Sequence, residues 1–297
     1  MIKASIIIAN NNKNYSIPLG LKVKDLEVMV VNSTNPCWAR NQGAKKAKGK
    51  YLVFLDNDVK VKKGFLDKVI RYLDLHPKVG AGQLKLLRWG SKKYDSAGDL
   101  LTSTGFLAER AREAEDKGQF NKDDCIFSGK GAAMVVRKTV FEKIGGFDES
   151  YVYYWEEPDL FWRVWKAGFE VRFLWMGKAE HAYGTKLKPI PKIPAEKTVY
   201  LSCRNQILTI IKNAPSNYYK KMLCLVGLSW LGLEILFLLK GKFKQVWAIE
   251  RAWWWMVSNR PKRGKIESQG WLDKILIKQD WQWYVGKAKA YISGRPF

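Results

Sequence analysis

"YLVFLDNDVKV", residues 51–61, decides the architecture. Tyr51 to Leu55 is an unbroken apolar run of aromatic and branched residues, the pattern of a short buried strand. It stops on Asp56, Asn57 and Asp58, with Val59 directly after. Outward from it, KASIIIA (3–9) reads as a first buried strand and LEVMVVN (26–32) as a second. The polar, lysine-bearing segment between them has room for a short helix. WARNQGAKKAKGK (38–50) has the alanine content and spacing of a short helix ending near Gly49. KGFLDKVIRYLDLHP (63–77) sets Phe65, Leu66, Val69, Ile70 and Leu73 at helical spacing, and Pro77 stops it. Strand and helix therefore alternate. The fold class is α/β, a mostly parallel sheet with helices on both faces.

Ligands of open parallel sheets bind beyond the carboxyl ends of the strands. Asp56 and Asp58 fall there, and alternate residues of an extended segment point the same way. Two hard oxygen donors on one side suit a divalent cation that also binds phosphate oxygens. A solvated turn is the competing reading, because Asp and Asn are common turn residues.

A second stretch, GGFDESYVYYWEEPDLFWRVWKAGFEVRFLWMGKAEHAYGTK (145–186), adds an acidic cluster, Glu156, Glu157 and Asp159. It lies at a helix start, with Pro158 early and Gly168 as the stop. Acids there either complement the helix dipole or do chemistry. His181, one of two histidines, follows the strand-like EVRFLWM and is either structural or a ligand.

Composition bounds the rest. The chain has 297 residues, 47% hydrophobic and 27% charged, so it folds. Its net charge is +24, from 52 Lys and Arg against 28 Asp and Glu, which points to a polyanionic partner. Cysteines 37, 125, 203 and 224 form no CxxC pair, which fits a reducing compartment rather than a disulfide framework. No signal peptide is expected, since Ile6 to Ala9 is too short for an apolar h-region. Charge and tryptophan are unevenly spread. From Tyr183 onward there are 21 Lys and Arg against 6 acids, and 8 of the 14 tryptophans follow residue 220.

The segments SIIIANNN, ARNQGAKKAKGKYLVFLDNDV, GAGQLKLL, DSAGDLL, SGKGAAMVVRKTVFEKIGGFDESYVYYWEEPDLFWRVWKAGFEV, EHAYGTK and YLSCRNQI run in an order that resembles the inverting, GT-A fold glycosyltransferases of family 2, close to their rhamnosyltransferase-like members. The resemblance covers roughly residues 3 to 212. It implies a Rossmann-like GT-A catalytic domain over 1–215 and transfer of a sugar from a UDP- or dTDP-sugar. By position it implies Asp58 and His181 as ligands of Mg²⁺ or Mn²⁺, with Asp56 on the ribose or in the metal shell. Arg40 and Asn41 then line the nucleotide pocket, with Asn10 also on the donor, and Lys186 neutralises diphosphate charge. Glu157 becomes the general base and Glu156 orients the acceptor, whose sugar or lipid could rest on Trp155 and Tyr154; core packing is the other reading of those aromatics. The sequence departs from the family at Asn32 and Glu157, where Asp is usual, and in the short loop before ARN. A carboxylate among Tyr153, Tyr154, Trp155 and a second acid is suited to accept a proton from an acceptor hydroxyl.

Residues 216–297 read as a basic, Trp-rich helical region. MLCLVGLSWLGLEILFLL (222–239) is 18 residues long with one acid, Glu234, and lysines flank it at 220, 221, 240, 242 and 244. VWAIERAWWWMVSNRPKRGK and WLDKILIKQDWQWYV read as further helical segments. The preferred reading is an interfacial platform on the anionic cytoplasmic leaflet, peripheral to the membrane, presenting a glycan or polyprenyl-linked acceptor. A membrane span and a plain amphipathic appendage are the alternatives. For the whole chain, a catalytically inactive sugar-nucleotide-binding relative and a nucleic-acid-binding protein are the rival functions. Against nucleic acid, the basic excess coincides with apolar helices and no RNP, KH, zinc-finger or helix-turn-helix signature is present.

Overall fold

A computed structural model describes residues 2–11, 25–182, 195–264 and 270–277. The chain begins with β1 (Ala4–Asn10), β2 (Leu26–Asn32), α1 (Pro36–Lys46), β3 (Tyr51–Asp56), β4 (Val59–Val61), α2 (Asp67–Leu75) and β5 (Val79–Arg88). Short strands follow: β6 (Tyr94–Ser96), β7 (Asp99–Thr102) and β8 (Leu107–Glu109). Then come β9 (Ala133–Arg137), α3 (Lys138–Lys143), α4 (Glu156–Lys166) and β10 (Glu170–His181). The C-terminal part is α5 (Ala195–Asn213), α6 (Ser216–Leu239), α7 (Phe243–Asn259), α8 (Leu272–Ile275) and β11 (Leu276–Ile277).

The main sheet runs β2-β1-β3-β9-β5-β10-β4, with β6 paired to β5. β1 pairs in parallel with β2 and β3, and β5 with β10, while β9 and β4 run antiparallel to their neighbours. Alternation along β1 and β3 sends Ile6, Ile8, Val53 and Leu55 to one face, against Val69 and Leu73 of α2. Ile7 and Phe54 face the other side, where α1, α3, α4 and α5 pack. The sheet is thus covered on both faces, as the unbroken apolar runs require.

Several boundaries differ from the sequence reading. α1 starts at Pro36, because the Asn35 side chain accepts from the backbone of Cys37 and Trp38. It ends at Lys46, short of Gly49. That glycine fits against the backbone of Ala4 and Ser5, where a Cβ would come within 2.5 Å. β10 does not stop at Met176. A register shift between Leu174 and Lys178 carries it on, so His181 is its last residue rather than part of a following loop. The segment from Trp271 is helical only over Leu272–Ile275, which bury Leu272 and Ile275; Leu276 and Ile277 then pair with β7. Its remainder, the suggested helix between β1 and β2, and Lys186 lie outside the described residues.

Candidate active site

β3 ends on Asp56, and the turn at Asn57–Asp58 leads at once into β4, which pairs with the last residues of β10. Val59 lies opposite His181, so Asp58 and His181 are brought together by register. His181 Nε2 is 3.3 Å from Asp58 Oδ1. Donor atoms of Asp56, Asp58 and His181 all fall within 4.8 Å of one another. The set fits a hard divalent cation: two carboxylates and one imidazole. His181 Nδ1 lies 2.9 Å from Asp95 of β6, the carboxylate behind the imidazole that fixes a metal-binding histidine's orientation. Burial pulls the His181 pKa down, but hydrogen bonds to Asp58 and Asp95 outweigh it and raise it to about 9.

Arg40 lies under the whole arrangement. It is 3% exposed. Its Nη2 donates to Asp56 Oδ1 at 3.0 Å, and Nη1 is 3.9 Å from both Glu156 and Glu157. One guanidinium therefore joins the nucleotide side to the acid pair. Among the described residues, Arg40 Nε and Nη1 and Glu156 Oε2 are buried without a hydrogen-bond partner. Buried polar atoms of this kind need a partner from outside the protein, a water or a ligand.

The acid pair is held by an unusual backbone. Val152, Tyr154 and Trp155 all have positive φ, of 63°, 68° and 68°. Non-glycine residues in this region cost energy and collect at functional sites. Asn205 of α5 offsets that cost by donating to the carbonyls of Tyr151, Tyr153 and Tyr154 at 2.8–3.0 Å. Glu156 and Glu157 then open α4, where the helix dipole favours acids. Gly131 N–H donates to Glu157 Oε1 at 2.9 Å. Burial raises the pKa of both glutamates. The neighbouring Glu157 charge raises Glu156 further, while Arg40 opposes the rise at each. Two close, buried carboxylates do not both ionise easily, so the pair holds a proton more tightly than either acid would alone.

The structure thus gathers Asp56, Asp58, His181, Arg40, Glu156 and Glu157. Asn10 lies at the end of β1 and joins the donor-side strands: Asn57 donates to it, and it donates to Asn32, each at 2.7 Å. Asn41 uses its amide on the turn before the acids, donating to Phe147 O and Glu149 and accepting from Phe147 N, each at 2.9 Å. Trp155 and Tyr154 are half-buried beside the acids; Tyr154 Oη is 3.4 Å from Thr198 Oγ1 of α5. Sequence reasoning missed Asp95, Gly131 and the Asn10–Asn57–Asn32 chain. The first two lie inside DSAGDLL and SGKGAAMVV, segments noticed for their order and not for any residue.

With this geometry in view, three comparisons agree. Residues 6–145 match the model of the family described as "Glycosyl transferase family 2". The O-antigen biosynthesis protein RfbC of Myxococcus xanthus is 33% identical over 118 residues, 37% of this chain and 9% of that protein. The pre-mycofactocin glycosyltransferase of Mycobacterium tuberculosis is 26% identical over 55% of this chain and 34% of its own. The chain therefore spans well under two thirds of the length of either. The dTDP-rhamnosyl transferase RfbF of Shigella flexneri is 26% identical over 70% of this chain and 71% of its own. Among solved structures, GalNAc-T7 with UDP, GalNAc and Mn²⁺ superposes with a TM-score of 0.52 at 13% identity over 73% of this chain and 49% of that one. S. aureus TarS 1-349 in complex with UDP-GlcNAc gives 0.51 at 13% identity over 84% and 80%. Residues 6–145, a little under half of the chain, thus match the family 2 glycosyltransferase model, and the chain has the GT-A fold of those solved structures.

Proposed function

We propose that the protein is an inverting glycosyltransferase that moves one sugar from a nucleotide-diphosphate donor, UDP- or dTDP-linked, to a hydroxyl of a glycan or lipid-linked acceptor. The observation that carries this is the bridge at Arg40, with a cation-type donor set on one side and a buried carboxylate pair on the other. Asp58, His181 and Asp56 would hold Mg²⁺ or Mn²⁺, and such an ion supplies charge neutralisation for a departing diphosphate. Glu157, whose pKa burial raises, takes the proton of the attacking hydroxyl in its carboxylate form. Glu156 positions that hydroxyl through its unsatisfied oxygen. Arg40 holds both acids and Asp56 in fixed register, so attack and departure lie in one frame. Asn10 anchors the donor side, and Tyr154 and Trp155 offer faces to the acceptor. Lys186 belongs to this proposal by resemblance alone.

The acceptor reading rests on α6 and α7. Helix α6 is 24 residues long and its most apolar 18-residue stretch has a mean hydropathy of 2.2, long and apolar enough to cross a membrane. One stripe, Met222, Val226, Trp230 and Phe237, is buried in the protein. Another, Leu228, Leu231, Ile235, Leu238 and Leu239, is exposed. A helix bound to its domain along one side fits lying in the interface, on the cytoplasmic leaflet, better than spanning it. The GT-A region would then be residues 1–215 and the membrane-associating region 216–297.

A thermal-shift screen of UDP, dTDP, GDP and CDP, with and without Mn²⁺, tests the donor side. Stabilisation by one nucleotide that requires the metal, and that is lost in Asp58→Ala, is expected. An unshifted melting curve under every condition would sink the reading.

A further inference from the structure

The described structure carries a second basic centre, between the acid pair and the exposed face of α7, that the sugar-transfer chemistry does not use. Arg204 of α5 donates Nη2 to Ser150 O at 2.6 Å and Nε to Asn205 Oδ1 at 2.8 Å, so it is tied to the loop that positions Glu156 and Glu157. Its guanidinium carbon lies 5.2 Å from the centre of the Trp255 ring and 5.7 Å from that of Tyr200. Arg251 of α7 approaches the same Tyr200 ring, at 4.9 Å. Neither arginine has an ion pair with a carboxylate among the described residues, Glu250 beside Arg251 included. Two guanidinium ions that share one aromatic ring without an anion repel each other, and an anion between them relieves that repulsion.

The position of Arg251 says which anion. It is exposed, and on α7 it falls between Trp247 and Trp254, four residues before and three after it, which are 66% and 72% exposed. Phe243 and Val257 continue that apolar row, and the exposed leucines of α6 add to the apolar surface beside it. Interface-type tryptophans on either side of a guanidinium fit a headgroup held at the level where acyl or isoprenoid chains begin. On the inner side, Arg204 reaches the carbonyl of Ser150 and Asn205 those of Tyr151, Tyr153 and Tyr154, shortly before the acids. A ligand gripped here has its chain on the α6–α7 face and its head toward Glu157.

We propose that Arg204 and Arg251, with Tyr200 and Trp255 between them, form the binding site for the phosphate or diphosphate ester of a long-chain lipid acceptor. This rests on the transferase reading and makes it specific. Arginine suits the task, because the planar fork of Arg251 can bind phosphate oxygens in pairs beside the Tyr200 ring, while Arg204, with Nε and Nη2 held by Asn205 and Ser150, adds its charge.

Flotation of the full-length protein on neutral phosphatidylcholine vesicles tests the site. One vesicle set carries a few mole per cent of a polyprenyl phosphate, and a second carries phosphatidylglycerol at equal surface charge. The wild type is expected to bind the polyprenyl phosphate set more tightly. Arg251→Gln removes that preference, a loss of about tenfold, and leaves the phosphatidylglycerol binding of an ordinary single-charge variant. Lys244→Gln, on the same helix away from Tyr200, lowers binding to both sets alike. Arg251→Lys retains charge without the fork and recovers only part of the preference. A wild type without preference, or Arg251→Gln and Lys244→Gln behaving identically, overturns the site. Nucleotide-dependent thermal shifts on the same preparation judge the donor-binding reading separately, so the two failures are distinguishable.

Discussion

Arg40 holds one positive charge among Asp56, Glu156 and Glu157 in a position closed to water. Removing it leaves buried carboxylates unbalanced, so Arg40→Met is expected to cost about 3–5 kcal/mol in chemical denaturation. Glu157 is the sharper probe of mechanism. Its pKa is raised from the ordinary 4.5 by burial, against Arg40 and the Gly131 N–H. A base must be deprotonated to act, so the acidic limb of the pH–rate profile is expected above 4.5, and Glu157→Gln lowers turnover about 10²–10⁴-fold. Stability has the opposite sign. Both glutamates bind their protons more tightly when folded, so their contribution is full below 4.5 and is lost as pH rises through the raised values. Under the proposed base role, activity is therefore expected to rise over the pH range in which this contribution to stability is lost. A pH series of denaturation curves that is flatter for Glu156→Gln than for the wild type is the expected check; equal slopes would contradict it. Gly131 shows why residue-level detail escaped the sequence. A Cβ there would come within 2.4 Å of Glu157 Oε1 and 2.6 Å of Arg40 Nη2. Gly131→Ala should thus cost about 1–3 kcal/mol by overpacking and slow transfer. Nothing in "SGKGAAM" distinguishes it from Gly129 two residues earlier. Asp56, Asp58 and the glutamates stand out in the sequence as carboxylate clusters, though by type and spacing alone they read equally as a turn and a helix start. Asp95 does not stand out, because its role exists only once β6 is laid beside β5 and across from His181.

At the scale of elements, the apolar runs of β1 and β3 and the amphipathic α2 announced themselves, because each is long and buries a continuous set of side chains. Elements set by pairing did not. β4 has three residues and exists because His181, Glu180 and Ala179 lie opposite it. β6 to β8 are similarly short and take their conformation from neighbours. The loop at 152–155 is the most consequential hidden feature, since Val, Tyr and Trp give no hint of left-handed backbone. Asn205 is its main side-chain support, beside Arg204 on Ser150. Asn205→Ala removes three hydrogen bonds to carbonyls and is expected to destabilise the protein by about 1–3 kcal/mol. It should also raise KM for the acceptor far more than it changes KM for the donor, because the loop carries the acid pair and not the cation-type set. Initial-rate kinetics varying each substrate in turn would show this, and an equal rise in both would count against a dedicated acceptor loop.

For the whole molecule, composition marked a boundary near residue 215, with charge and tryptophan rising beyond it. The packing shows no matching seam. One apolar cluster contains Phe54 and Met134 of the sheet, Phe161 of α4, Ile207 of α5, Trp230 of α6 and Ile249 of α7. Gly105, after β7, is so close to both Ile210 and Met222 that a Cβ there would meet them at 3.1 and 3.2 Å. A change in composition reports what a surface touches, whereas a folding boundary depends on which side chains share a core. The two regions are therefore expected to differ in role and to melt together. Trp230 tests this, being 1% exposed and packed edge-on to Trp253 at 4.8 Å between ring centres. Trp230→Ala should cost about 3–5 kcal/mol. Because the core is shared, the loss should lower the same single transition that a donor nucleotide raises. A tail that melts separately would leave the nucleotide-responsive transition where it is in the wild type, and that result would divide the chain into two independent folding units.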